Sequence, residues 1–166
     1  MTTQADMRFH VEVAVRYHRR RAAFLERASS LMSVVLLGGA AAFIGMVGEA
    51  TLFSKLIALC IVVVGIVQIV CQTDCHAASH RLWLRQWNEI LAEIKQAVAP
   101  DQLVIGRWID RQAAIEAECV GEMKALANDC YNRTMNALDL AYTPFAITRW
   151  QRFWMQFVSF ENASYK

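Results

Sequence analysis

The sequence has little proline, glycine or charge for its length. Of its 166 residues only 2 are Pro and 7 are Gly, and the charged share is 19%, below the value of about 25% that is typical of soluble domains. This composition excludes a collagen, a Gly-rich β-sandwich and a disordered tail. The 17 basic and 15 acidic residues give a net charge of +2, too even a balance for a nucleic-acid binder.

Two long stretches carry no charge at all. Residues 28–48 and 56–73 contain no Asp, Glu, Lys or Arg, and a helix of about 20 mostly apolar residues crosses the hydrocarbon core of a bilayer. Only a helix satisfies its own backbone in lipid. The sequence therefore predicts a transmembrane hairpin over 28–73, with spans of about 28–48 and 56–73. A soluble bundle with two unusually apolar core helices is the alternative.

Basic residues orient the hairpin. Six arginines lie within 20 residues before the first span and two closely follow the second, whereas Lys55 alone marks the connector. Cytoplasmic loops carry the excess of Lys and Arg, which predicts a multi-pass membrane protein with both termini cytoplasmic. The arginines nearest the membrane are expected to bind anionic lipid headgroups. These are Arg16, Arg19, Arg20, Arg21 and Arg27.

The remaining segments also have helical patterns, so the predicted fold class is all-α, with the membrane hairpin joined to a cytoplasmic helical bundle. A basic helix over 1–27, with Phe9, Val13 and Tyr17 on one face, is expected to continue into the first span. In the cytoplasmic region 74–166, an amphipathic helix ends before Pro100 and Asp101 caps the next helix. That helix is predicted to carry one apolar stripe: Ile115, Cys119, Met123, Leu126 and Cys130.

An aromatic helix is predicted over 144–160. Thr143 suits the cap position and Pro144 the first helical position. Six large aromatic side chains follow among two arginines, and so much aromatic area needs a partner. The membrane interface, the cytoplasmic bundle and a neighbouring subunit are the three alternatives.

The sequence shows no sign of catalysis or of a cofactor. It lacks a Gly-rich phosphate loop, a nucleophile elbow and a His-Glu pair at zinc-protease spacing. Cys71, Cys75, His76 and His80 are crowded together, but on a helix Cys71 and His80 lie about 180° apart, so the four cannot converge on a metal. Residues 74–166 have nearly balanced charge, and no direct DNA binding is expected.

Small residues recur along both spans at helix-packing spacing. They are Gly38, Ala41, Gly45 and Gly48 in the first span, and Ala58 and Gly65 in the second. Small residues let helix backbones approach closely in lipid. The two ridges are expected to pack either on each other or on a neighbouring hairpin.

A polar stripe follows the second ridge. Gln68, Gln72, Cys75 and Ser79 recur at spacings of 4, 3 and 4, and a polar group in hydrocarbon usually faces another helix or water. The stripe is expected to line a pore or to form polar contacts between helices. Two spans cannot enclose a channel, so conduction requires a homo-oligomer.

The layout resembles the SLATT proteins, bacterial two-span effectors of conflict and antiphage systems. The likeness covers residues 12–98 and is carried by the basic helix VAVRYHRRRAAFLERASS, the short connector and the helix HAASHRLWLRQWNEILAEIKQ. It implies a pore-forming effector of the bacterial inner membrane. A partner, such as a sensor, nucleotide cyclase, nuclease or reverse transcriptase, releases it to oligomerise and permeabilise that membrane in abortive infection. The alternative is a membrane-anchored scaffold or interaction module without conduction. The chain from Pro100 onward has no counterpart in this resemblance.

Overall fold

The structure is a computed structural model that describes residues 3–45, 51–119 and 121–160, and every regular element in those ranges is a helix. The elements are α1 (Gln4–Gly45), α2 (Leu52–Cys71), α3 (Thr73–Gln96), α4 (Gln102–Glu118), α5 (Lys124–Ala137) and α6 (Arg149–Trp154).

The chain divides into two compact units. The hairpin unit is Ala22–Ser79, and the bundle unit combines Met1–Arg21 with His80–Lys166. Helices α1 and α3 contribute residues to both units.

Helix α1 confirms that the basic N-terminal segment continues without a break into the first apolar stretch. At its start the Asp6 amide donates to Thr3 Oγ1 at 3.1 Å, and the Thr3 amide donates to Asp6 Oδ2 at 3.0 Å. These bonds satisfy amides at the helix end that lack an intrahelical partner. The helix is described as far as Gly45, so the predicted end of the first span at 46–48 lies outside the described residues.

The second apolar stretch forms α2. Thr51 caps this helix by accepting a hydrogen bond from the Ser54 amide, at 3.2 Å from its Oγ1. Helix α2 ends at Cys71, because Gln72 adopts a left-handed conformation with φ of 42°. Helix α3 then begins at Thr73. The second apolar helix therefore starts and ends slightly earlier than the predicted span 56–73.

The core of the bundle unit is built by one face each of α1, α3 and α4. Helix α1 buries Met7, Val11 and Val15, which recur every four residues and so share one side of the helix. The predicted face is confirmed in part, because Tyr17 is buried in a second cluster and half-buried Val13 packs against that cluster. The partners on α3 and α4 are Trp87, Ile90, Leu91, Ile94, Ile105, Trp108 and Ile115.

The ends of α3 and α4 follow the local sequence. Helix α3 ends at Gln96, before Pro100, as predicted. Asp101 caps α4, since its Oδ1 accepts a hydrogen bond from the Val104 amide at 2.8 Å. This cap is also confirmed.

The single stripe predicted from Ile115 to Cys130 is wrong. Helix α4 stops at Glu118 and α5 starts at Lys124, with Gly121 between them at φ of 74°. This left-handed conformation is open to Gly and interrupts a right-handed helix. Ile115 consequently packs in the core of α1, α3 and α4, whereas Leu126 and Cys130 belong to a second cluster with Tyr17 and Met155.

The aromatic C-terminal helix is shorter than predicted. Residues 140–148 are not helical, and α6 covers only Arg149–Trp154. Thr148, not Thr143, is the cap: it accepts from the Gln151 amide at 3.1 Å, and Gln151 Oε1 accepts from the Thr148 amide at 2.8 Å. This reciprocal pair is a complete capping box, which the Thr143-Pro144 start lacks.

Candidate functional site

Helices α1 and α2 pack closely at Gly39. A Cβ atom added at Gly39 would lie 2.8 Å from Ile61 Cγ1 and 3.1 Å from Ile61 Cδ1. Any residue with a Cβ atom would force the Ile61 side chain to move, whereas glycine fits without such a shift. Leu36 of α1 packs against Gly65 of α2, and its Cδ2 lies 3.7 Å from where a Cβ atom at Gly65 would be. The two helices therefore meet through small residues, as helices in lipid do.

The predicted ridge of α1 lies on a different face. Cβ atoms built at Gly38 and Gly45 would meet no described residue within 4 Å, and Ala41 is exposed. On α2, Ala58 is half-buried, and Gly48 lies outside the described residues. The ridge of α1 was expected to pack either on α2 or on a neighbouring hairpin. Its described residues do not pack on α2, so they remain open to another helix.

The predicted polar stripe is not continuous. The left-handed conformation of Gln72 separates α2 from α3, so Gln68 does not share a regular helix with Cys75 and Ser79. Gln72 and Cys75 are exposed, and the Ser79 hydroxyl donates to the Cys75 carbonyl oxygen at 3.0 Å. Gln68 differs from them, because its Oε1 is buried and has no hydrogen-bond partner in the described part of the chain.

One hydrogen bond between the two arms of the hairpin unit was not foreseen. The hydroxyl of Ser29 in α1 donates to the carboxylate of Asp74 in α3, and Ser29 is buried. A hydrogen bond to a charged acceptor contributes more than one between neutral groups. Sequence reasoning missed it because residues 29 and 74 carry no spacing that marks them as partners.

Two of the predicted lipid-binding arginines are engaged inside the bundle unit. Arg20 forms an ion pair with Asp129 of α5, and Arg21 donates to the carbonyl oxygen of Gln156. Arg133 also donates to Asp129 Oδ2, at 2.8 Å. Burial acts to raise the pKa of Asp129, but the hydrogen bonds from both arginines outweigh it and hold the pKa below its ordinary value. Arg20 and Arg21 thus join α1 to the C-terminal segments, and their binding to lipid headgroups stays a prediction.

The other three arginines keep an accessible position. Arg19 and Arg27 are exposed and Arg16 is half-buried. These three remain available for contact with anionic lipid.

A cluster of aromatic and histidine rings lies in the bundle unit. The His18 ring centroid lies 5.2 Å from that of His80 and 5.6 Å from that of Trp83, and the Tyr17 ring contacts both histidines. The Tyr17 hydroxyl accepts a hydrogen bond from the Met123 amide at 3.1 Å. The cluster thus joins α1 and α3 to the segment between α4 and α5.

The two histidines share one hydrogen bond. Their Nδ1 atoms are 2.9 Å apart, so one ring must donate while the other accepts, and the acceptor must be neutral. His18 is buried, and burial lowers its pKa to about 4. His18 is consequently uncharged at neutral pH. Sequence reasoning considered His80 only as a metal ligand and gave His18 no role, since the two are far apart in the chain.

These rings form one wall of a pocket of about 460 Å³. The rest of the wall includes Glu116 of α4, Glu122 of the α4–α5 connection and Trp87 of α3. The pocket volume falls within the range of about 300–1,000 Å³ found for small-molecule sites.

The aromatic side chains of the C-terminal segment are exposed. Trp150, Phe153 and Phe157 contact the ring of Trp154 but are 66%, 69% and 60% exposed, whereas Gln151 and Met155 are buried. Packing on the described part of the chain therefore covers only part of these three rings. The membrane interface and a neighbouring subunit remain.

In residues 3–45, 51–119 and 121–160, no three His, Cys, Asp or Glu side chains are grouped so that they could hold a metal ion. Comparison with protein-family models, with curated proteins and with solved structures gives no match.

Proposed function

We propose that this protein is an inner-membrane effector. Its hairpin unit crosses the bilayer twice with both termini in the cytoplasm, and copies of the chain oligomerise to form a pore or to disrupt the membrane. The proposed setting is antiphage defence by abortive infection, with release by a sensor partner such as a nucleotide cyclase, a nuclease or a reverse transcriptase. The resemblance of residues 12–98 to SLATT proteins supports this setting.

The observation that carries the proposal is the apolar surface of the hairpin unit. Leu37 and Ile44 of α1 are 74% and 71% exposed, and Leu52 and Ile69 of α2 are each 76% exposed. Burial of one such side chain contributes about 1.5–3 kcal/mol, so a protein in water would not leave a whole surface of them uncovered. Both α1 and the helical segment that begins at Leu52 contain stretches long and apolar enough to cross a membrane.

Two further features support association between hairpins. No described residue lies within 4 Å of Cβ atoms built at Gly38 and Gly45, which leaves room for the close approach of a second helix. The Gln68 oxygen is buried and lacks a donor within the described chain, and an unpaired polar atom in an apolar setting is costly. A neighbouring hairpin or the water of a lumen would satisfy this oxygen once the side chain turns outward.

Dye release from liposomes of anionic lipid tests the proposal. We expect the purified full chain to release the dye with a steep dependence on protein density, because conduction requires several copies. Gln68→Leu should abolish release while the protein still inserts, and Val67→Leu at the exposed neighbouring position should not. Gly45→Ile should reduce cross-linked oligomers in the same liposomes.

The outcomes separate the proposal from its alternatives. If no dye is released at any protein density, even when the partner encoded by the neighbouring gene is added, the result would indicate the membrane-anchored scaffold. Extraction of the protein into buffer without detergent would indicate a soluble bundle. Full release by Gln68→Leu would exclude Gln68 from the conducting or interhelical site.

A further inference from the structure

The pocket of the bundle unit has an unusual combination of wall groups. The described residues that line it include the rings of Tyr17, Trp83 and Trp87 and the carboxylates of Glu116 and Glu122, but no Lys or Arg. The wall also holds His10, His18 and His80, of which buried His18 is uncharged near neutral pH. The fixed negative charge of the pocket comes from Glu116 and Glu122. A negative, aromatic pocket disfavours phosphates and carboxylates.

We propose that this pocket binds a small organic cation, such as a substituted ammonium compound. The faces of electron-rich rings attract ammonium groups, and aromatic cages recognise quaternary ammonium ligands in this way. The carboxylates of Glu116 and Glu122 add an attraction from α4 and from the connection to α5. This site lies wholly within the bundle unit and does not depend on whether the hairpin conducts ions.

A second observation points to a ligand at the same place. Trp87 is 2% exposed and lines the pocket, and its indole N–H has no hydrogen-bond partner among the described residues. Tryptophan usually finds an acceptor for this group when it is buried, and leaving a buried donor unpaired costs about 1–3 kcal/mol. The nitrogen itself is closed to solvent, so an oxygen on a ligand would reach it only after a shift of the surrounding wall. The proposal therefore rests on the aromatic rings and the two carboxylates of the wall.

Choline and 3,3-dimethyl-1-butanol form a matched pair of probes, because they have nearly the same shape and the same hydroxyl group but only choline is charged. Binding is measured on the full chain in a neutral detergent, by calorimetry and by the fluorescence of the pocket tryptophans. Benzyltrimethylammonium serves as a second cation and adenosine monophosphate as an anion of similar size. We expect both cations to bind. Choline should bind at least about tenfold more tightly than the neutral alcohol, because one or two nearby carboxylates attract its charge.

Charge variants locate the site. The double variant Glu116→Gln, Glu122→Gln should weaken choline binding at least about fivefold and leave binding of the neutral alcohol unchanged. Asp110→Asn removes a carboxylate from an exposed position of α4 outside the pocket and should change neither. Circular dichroism of each variant checks that the helices are retained.

Three results would overturn the proposal. In the first, neither cation binds at concentrations of tens of millimolar. In the second, the unmodified chain binds choline and its neutral isostere equally. In the third, adenosine monophosphate binds more tightly than the cations. The first two use no variant, so they remain decisive even if the double variant fails to fold.

Discussion

Gly39 of α1 and Ile61 of α2 pack so closely that a Cβ atom at residue 39 would lie 2.8 Å from Ile61 Cγ1. Adjacent Gly38 meets nothing within 4 Å. Two adjacent residues of α1 therefore have different roles: Gly39 packs against α2, and Gly38 is open to another helix.

Gly39→Val should destabilise the hairpin by about 1–3 kcal/mol, because the added side chain overpacks the contact with Ile61. Gly38→Val introduces the same residue into open space and should cost less. Thermal unfolding of the purified protein in detergent measures both. Truncation of the neighbour by Ile61→Ala should partly restore Gly39→Val. Equal melting temperatures for Gly39→Val and Gly38→Val would contradict the packing.

Removal of Arg20 by Arg20→Met should destabilise the bundle unit by about 2 kcal/mol. The change leaves Asp129, which is 5% exposed, with one of its two cationic partners, and an incompletely paired buried charge is costly. Arg85→Met is the matched control, since Arg85 pairs with half-exposed Glu89 and surface ion pairs contribute about 0–1 kcal/mol. Denaturant unfolding compares the two variants. An effect of Arg85→Met as large as that of Arg20→Met would show that burial of the partner carboxylate does not set the difference.

Stability should fall as the pH is lowered from 6.5 towards 4. Burial lowers the pKa of His18 from 6.5 to about 4 in the folded protein, so the unfolded chain takes up a proton first. The stabilising contribution is complete above pH 6.5 and is lost as the pH falls through this window. The difference corresponds to about 3 kcal/mol.

Melting temperatures between pH 7.5 and 4.5 measure this loss. His18→Phe should flatten the pH dependence in this range, whereas His10→Gln, at an exposed position of α1, should leave it unchanged. An unaltered slope in His18→Phe would assign the pH dependence to other groups.

Thr148→Ala should destabilise the C-terminal segment by about 1 kcal/mol, because it removes the side-chain cap of α6. Thr143→Ala makes the same chemical change at a residue outside any helix and should have little effect. Limited proteolysis near residue 150 reports the loosening directly. Faster cleavage of Thr143→Ala than of Thr148→Ala would instead place the helix start at Pro144.

Local chemistry explains which elements were predictable. Asp101 caps α4 and α3 ends before Pro100 because caps and proline act on the next few backbone groups, whatever the rest of the chain does. The prediction failed between α4 and α5, where Cys119 and Met123 are extended and Gly121 is left-handed. It also failed at Gln72, whose left-handed conformation separates α2 from α3. Apolar periodicity carries no signal for such a break.

The candidate sites were less predictable than the helices. The small-residue spacing indicated Gly38 and Gly45 as packing positions, but the contact with α2 is made by Gly39. A glycine-rich helix presents small residues on several faces, and spacing alone does not say which face a partner covers. The pocket beside His18 and His80 was missed altogether, because its wall comes from four separate stretches of chain.

The sequence by itself determined that the chain is helical and that two of its helices are apolar enough to cross a membrane. Both follow from contiguous residues, because the length of an uncharged stretch and the spacing of apolar residues can be read along the chain. Only the tertiary structure decided that Arg20 and Arg21 join α1 to the C-terminal segments, that Gly39 meets Ile61, and that two histidines 62 residues apart share a hydrogen bond. Each of these depends on how a helix is rotated about its axis when it packs, and that rotation is set by the fit of side chains that are remote in sequence.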